Sequence, residues 1–309
     1  MFKMENSILI LQNVSKYFTV KKPIWKRFKF FTKYKKERFK ALNNISFSVN
    51  QWEKVAFIWP NWAWKSTTIK CILWILHYDE WQIQVFWMDP KRSRQEIAKL
   101  TASVFGQRSQ LLYHLPLIES FKFFKIVYQI SDQKFEDRLN KLVSKFKIED
   151  FLYRPVRKLS LWQRMKWEII AALLHWPKAI FLDEPTVWLD IVAKKVLYEI
   201  LLQVHKDENI TIFLTSHDIW DIQALCDRAI IINKWEILFD WMIERLLRDY
   251  ANKKVLRYRY IWDLDWRVEQ IPAKSEVLEK KIKEILSNGK LEDMRIEDVP
   301  LEEVIERFY

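Results

Sequence analysis

The sequence predicts an α/β fold built around a parallel core sheet, and three observations predict it. Strand-like apolar runs alternate with helix-like segments over most of the chain. One such run, Val55 to Ile58, leads straight into a loop and a Lys65-Ser66-Thr67 helix start. Another, Ala179 to Leu182, ends in the paired carboxylates Asp183 and Glu184. In chain order, strands are expected near 8–14, 45–49, 55–58, 83–86, 102–105, 179–182, 211–215, 229–232 and 236–239. Helices are expected near 65–76, 117–129, 134–146, 162–174, 193–207 and 219–226, the fourth from the pattern Arg164 to Leu174.

The chain has 309 residues, half of them apolar and 30% charged, which suits a soluble globular domain with or without an appendage. No apolar run reaches 18 residues without charge, so no spanning helix is expected. The start, MFKMENSILI, lacks the pattern of a secretory signal. Two cysteines, Cys71 and Cys226, exclude a disulfide framework and suggest a reducing compartment. Five scattered histidines argue against structural zinc.

The chain holds 2 glycines and 17 tryptophans. Ordinary usage would give roughly 22 glycines. The tryptophans stand where turns are expected: Trp52 before the 55–58 run, Trp81 and Trp87 around 83–86, Trp235 and Trp241 around 236–239. A tryptophan there exposes a large ring, and a residue other than glycine in a left-handed turn costs about 1–2 kcal/mol. UGA is read as stop, tryptophan or glycine in different genetic codes. The expectation is that most of these tryptophans are UGA-encoded glycines, with Trp25, Trp262 and Trp266 the candidates for genuine tryptophan.

With glycine restored, Trp59-Pro60-Asn61-Trp62-Ala63-Trp64-Lys65-Ser66-Thr67 reads GPNGAGKST, a phosphate-binding loop in the required strand–loop–helix context. Main-chain N–H groups must wrap the phosphates, so side chains are excluded at 59, 62 and 64. Lys65 would reach the β- and γ-phosphates, and the Ser66 hydroxyl would ligate Mg²⁺. In such a fold Asp183 would hold Mg²⁺ through water, and Glu184 would orient and activate the attacking water.

Further motifs follow in register. Leu159-Ser160-Leu161-Trp162-Gln163 becomes LSLGQ and opens a helix. Together with the phosphate loop it resembles the ATP-binding cassette (ABC) superfamily, whose signature is LSGGQ. Phe105-Gly106-Gln107 resembles the family's Q-loop, Val187-Trp188-Leu189-Asp190 its D-loop, and Ile212 to Asp218 its switch-histidine strand. The resemblance covers about residues 8–240. It implies a P-loop NTPase of the ABC type: a parallel core sheet, an antiparallel β-subdomain and a helical subdomain near 108–165. It further implies that Ser160, Trp162 and Gln163 face the γ-phosphate of a second subunit, that Asp190 belongs to the nucleotide site, that Gln107 contributes to the metal and to catalysis, and that His217 is the γ-phosphate switch. Val14 to Phe18 resembles the segment that stacks on adenine, with Phe18 favoured over Tyr17.

Residues 107–128 and 157–174 resemble ATPase subunits of bacterial ABC-2-type exporters, a group that also carries an insertion like the one at 20–40. Residues 21–40 hold ten basic residues against Glu37, net +9 of the chain's +12. Ile24, Phe28, Phe31 and Phe39 recur there at near-helical spacing, so the block is a candidate for contact with anionic lipid, a solvated loop being the plainer alternative. Residues 241–309 form an appendage with strands expected at 254–261 and 293–296 and helices at 275–286 and 301–309.

The expected protein is an ATP-hydrolysing subunit at the cytoplasmic face of the membrane. It would use ATP and Mg²⁺, pair with a second ATPase subunit and power export through separate permease subunits. Two rivals stand beside this: a soluble cassette ATPase acting on ribosomes or DNA, and a non-hydrolysing interaction protein if the tryptophans are genuine.

Overall fold

The computed structural model describes residues 6–28, 31–59, 62–106, 108–146, 149–233, 236–250, 253–263, 265–273, 275–298 and 305. It divides into two units, Met1–Phe239 and Asp240–Tyr309.

In the first unit, two long strands, β1 (Ser7–Phe28) and β2 (Phe31–Asn50), pair antiparallel, and β4 (Glu80–Val85) joins β1 on its other edge. Leu11 sits opposite Phe47 on one side and Ile83 on the other. The second sheet is six-stranded. Its order is β5 (Thr101–Phe105), β6 (Ala179–Asp183), β7 (Thr211–Thr215), β3 (Lys54–Ile58), β8 (Arg228–Asn233) and β9 (Glu236–Met242). Pairing from β5 through β8 is parallel throughout. The continuous apolar runs follow from burial on both faces: every residue of β6 and β7 is buried. Phe47, Phe57 and Phe213 pack together with ring centroids 5.5–6.1 Å apart, joining the two sheets in one core.

Helix α1 (Trp62–Ile72) follows β3, and α2 (Arg94–Leu100), which the sequence reading missed, precedes β5. The helix-rich stretch holds α3 (Leu117–Val127), α4 (Asp132–Phe146) and α5 (Leu161–Leu173). Arg138, 3% exposed, fastens this stretch: it donates to the Leu173 carbonyl at 2.7 and 3.1 Å and pairs with Glu208 at 2.6 Å. Glu208 ends α6 (Ile191–Glu208), and α7 (Ile219–Leu225) follows β7.

The described residues of the basic insertion, 20–28 and 31–40, are not helical. They continue β1 and β2 as a hairpin, with Lys21 opposite Lys36 and Lys22 opposite Lys35. The expected helical spacing rested on four apolar residues. Continuity with flanking strands outweighs it, because each half supplies the other's main-chain partners. Glu37, the segment's one acid, pairs with Lys22 at 2.7 Å.

The second unit contains α8 (Ile243–Tyr250), β10 (Lys253–Tyr260), β11 (Arg267–Pro272), α9 (Ser275–Ser287) and β12 (Leu291–Asp298). The strands form an antiparallel sheet in the order β11–β10–β12. Leu256, Tyr258, Tyr260, Ile271 and Ile285 make its core. Helix α8 and strand β11 were not anticipated, and the expected 301–309 helix lies outside the described residues except Ile305.

Candidate functional site

The site forms where three neighbouring parallel strands, β6, β7 and β3, end on the same side of the sheet. Strand ends of this kind are where ligands bind in open α/β sheets. Lys65 and Ser66 lie in the first turns of α1, Asp183 ends β6, and Ser216 and His217 follow β7.

Lys65 is 1% exposed, and its Nζ donates to Glu184 Oε1 at 2.8 Å. The other carboxylate oxygen of Glu184 lies 2.7 Å from His217 Nδ1. Ser66 Oγ donates to Asp183 Oδ2 at 2.6 Å, and Thr215 Oγ1 to Asp183 Oδ1 at 2.7 Å. Five of the residues singled out in the sequence are thus in direct contact. A hydroxyl and a carboxylate side by side are hard oxygen ligands that suit Mg²⁺, and an ammonium beside them suits a phosphate.

Glu184 has φ 50°, a left-handed backbone that is costly for an acid, and its N–H donates to Thr215 O at 3.0 Å. Gly106 explains how this bend fits. A Cβ at 106 would lie 2.0 Å from the Glu184 carbonyl oxygen, so only glycine lets the two chains pass. Gly106 also donates its N–H to Asp183 O at 2.9 Å. The sequence offered a signal for it: one of the chain's two glycines stands here.

A buried support was not foreseen. Asp221 of α7 is fully buried and accepts from Ser216 Oγ at 2.6 Å and from the hydroxyls of Thr186 and Tyr198. Lys194 of α6 bonds both Asp218 and Asp221. Burial lowers the Lys194 pKa, but the two carboxylates outweigh it and hold it above the usual lysine range. The tyrosine hydroxyl is driven up by burial and by Asp221. These bonds tie the segment after Glu184 to the segment around His217.

Other expected residues stand apart. Ser160 and Gln163 form a capping box at the start of α5, Ser160 Oγ accepting the Gln163 N–H at 3.1 Å and Gln163 Oε1 accepting the Ser160 N–H at 3.0 Å. Lys166 lies over the Trp162 ring at 4.6 Å. Asp190 caps α6 through the Ala193 N–H at 2.8 Å. Phe18 is half-buried against the core with Lys16 over its ring, while Arg38 and Lys40 lie over Tyr17. Trp59 is buried and packs on Phe57 at 6.2 Å. Thr67 is buried in α1. Trp62, Ala63 and Trp64 begin α1. Pro60, Asn61 and Gln107 lie outside the described residues.

Among the described residues, five tryptophans have positive φ: Trp52, Trp74, Trp81, Trp87 and Trp176, at 53° to 66°. Only three asparagines do, although asparagine tolerates this region far better. Trp241 does not; it lies in β9 with Arg245 over its ring, and Trp235 is outside the described residues.

Residues 42–187 match the family model described as ABC transporter. The chain is 29% identical over 228 residues to the ABC transporter ATP-binding protein NatA of Bacillus subtilis, covering 74% of this chain and 91% of that one. Two solved structures share the fold. One, an ATP-binding subunit of an ABC transporter, has a TM-score of 0.65 and 22% identity over 79% of this chain and 93% of its own. The other is a dimeric ATP-binding cassette holding ADP and Pi after hydrolysis, with a TM-score of 0.61 and 20% identity over 76% and 98% of the two chains. Strand-end site, family-model match and shared architecture meet in one conclusion: the chain has the fold of an ABC ATPase, and its residues 42–187 are similar to the ABC transporter family.

Proposed function

We propose that the chain is the ATP-hydrolysing subunit of an ABC-2-type exporter, working as a head-to-tail pair beneath separate permease subunits. The observation that carries this is the contact set of Lys65, Ser66, Asp183, Glu184 and His217 at adjacent strand ends. In this reading, Lys65 neutralises the β- and γ-phosphates, and Ser66 and Asp183 hold Mg²⁺. The metal supplies charge neutralisation on the phosphates. Glu184 orients a water and takes its proton, while His217 fixes the carboxylate and reaches toward the γ-phosphate. Gln107 and the 108–116 segment carry motion to the permease. Lys65 lies in α1 and Ser160, Trp162 and Gln163 at the start of α5; in this reading the α5 start of the opposite chain closes the site.

The same reading requires glycine at 59, 62 and 64 and at the left-handed tryptophans, as a UGA codon read as glycine would give. The five tryptophans at positive φ support it. No helix among the described residues is long and apolar enough to cross a membrane, which fits a peripheral subunit on the cytoplasmic face. The 21–40 hairpin, net +9, contributes contact with anionic lipid, at about 1 kcal/mol per basic residue near the surface.

Two measurements test this. Glu184→Gln in the glycine-restored chain should bind ATP, stall hydrolysis and accumulate as a dimer; full turnover in that variant removes Glu184 from its role. Neutralising Lys26, Arg27, Lys29, Lys33, Lys35 and Lys36 should release the protein from anionic vesicles; unchanged binding discards the lipid contact.

A further inference from the structure

Glu168 lies in the middle of α5, the helix that begins with the Ser160–Gln163 capping box. It is 5% exposed. Its carboxylate accepts the Ser109 hydroxyl and the Gln110 N–H, the latter at 3.1 and 3.2 Å to the two oxygens. Ser109 Oγ also accepts the Leu111 N–H at 3.2 Å, and the Gln110 side chain donates to the Ser103 carbonyl at 2.7 Å. The segment just after Gln107 is therefore wound around a buried acid on another element.

A buried carboxylate with no cation is expensive to keep. Among the described residues Glu168 has no ion pair. Arg164, one turn earlier, acts on it only at longer range, and burial raises its pKa. An apolar residue would pack this helix at lower cost, so the bonds made by the acid are the reason for it. The junction has a third party. A small cavity there is lined by Gly106 and Ser109, by Arg164 and Glu168 of α5, and by Trp188 and Leu189 of the segment before α6.

We propose that Glu168 is a positioning residue. It locks the 108–116 segment to the signature helix, so that a displacement of that segment moves Ser160–Gln163 with it. This rests on the ATPase reading above. In that reading Ser160–Gln163 contacts the opposite chain's nucleotide, so the lock conveys what one chain's permease contact does to the other chain's ATP.

Ser109→Ala, Glu168→Gln and their combination test it in the glycine-restored chain, with Ser109→Thr as the conservative control. The first readout is amide hydrogen exchange, which needs no catalysis. Ser109→Ala should speed exchange about tenfold at 161–164 as well as at 109–112, and Ser109→Thr should not. Faster exchange confined to 109–112 overturns the proposal even if the chain is a good ATPase. The second readout is steady-state hydrolysis. Each single variant should lower kcat about tenfold with KM for ATP within about twofold, and the double variant should be no worse than the poorer single. Multiplying losses, or losses confined to KM, overturn it. A parent chain that fails to hydrolyse ATP sinks the ATPase reading, while the exchange result still decides whether the lock exists.

Discussion

In residues 1–239 five described tryptophans, Trp52, Trp74, Trp81, Trp87 and Trp176, have a left-handed backbone, whereas none of those described in the second unit, Trp241, Trp262 and Trp266, does. Trp52, Trp81 and Trp87 combine φ above 60° with side chains more than half exposed. Trp167 is fully buried against Phe121, yet its indole Nε1 finds no hydrogen-bond partner among the described residues. Trp262 stacks on Tyr260 at 5.2 Å and 7°, and Arg259 and Arg295 both lie over the Trp266 ring. Gly289 sharpens the contrast. A Cβ there would come within 2.1 Å of the Trp262 ring, so the indole packs directly over this glycine. This contrast gives the recoding proposal a test in the gene. UGA codons at 52, 74, 81, 87 and 176, and UGG at 262 and 266, are what the gene should contain; UGG at the five turns would end the recoding idea.

The largest effect should come from the phosphate loop. With indoles at 59, 62 and 64 the chain should show no ATP binding. Replacing the three by glycine should raise affinity by on the order of 10³-fold, since each overfilled position costs about 1–3 kcal/mol. Equal binding of labelled ATP by both forms would make the tryptophans functional. Next comes Gly106→Ala. Its methyl group would push on the Glu184 carbonyl, and displacement of a catalytic group by about 1 Å can cost 10²-fold. Hydrolysis should fall by about that factor while ATP binding persists. Unimpaired turnover would mean that the close passage of 106 and 184 is not needed.

Much of this was legible in sequence because the signals are local. Val55 to Ile58 and Ala179 to Asp183 read as buried strands from their apolar runs, and the order of motifs around Lys65, Asp183 and His217 brought the site together. What stayed hidden depends on distant partners. Helix α2 is seven residues long with one buried position, Ile97, too short for a period to show. The hairpin at 21–40 misled because aromatic spacing is ambiguous in a segment whose strand character comes from pairing with itself. Asp221 and Glu168 look like ordinary surface acids in their helices; only the fold brings Thr186, Tyr198 and Ser216 to one and Ser109 to the other. Gly106 was visible as a letter, but its necessity lies in a carbonyl 78 positions away.

The smallest effects are the most discriminating, because the two units should respond with opposite sign. Trp→Gly at 52, 81 or 87 removes a left-handed penalty of about 1–2 kcal/mol and offsets part of it through the greater freedom of glycine in the unfolded chain. A net gain of about 1 kcal/mol per site should appear as a higher urea midpoint with unchanged slope. Trp262→Gly removes a stacked ring pair worth about 0.5–1.5 kcal/mol together with the contact over Gly289. It should speed amide exchange across β10 and β12 while leaving β6 and β7 as they were. Were Trp262→Gly stabilising and Trp81→Gly destabilising, the backbone criterion would be reversed, and the indole at 81 would have to be accepted as a residue the fold uses.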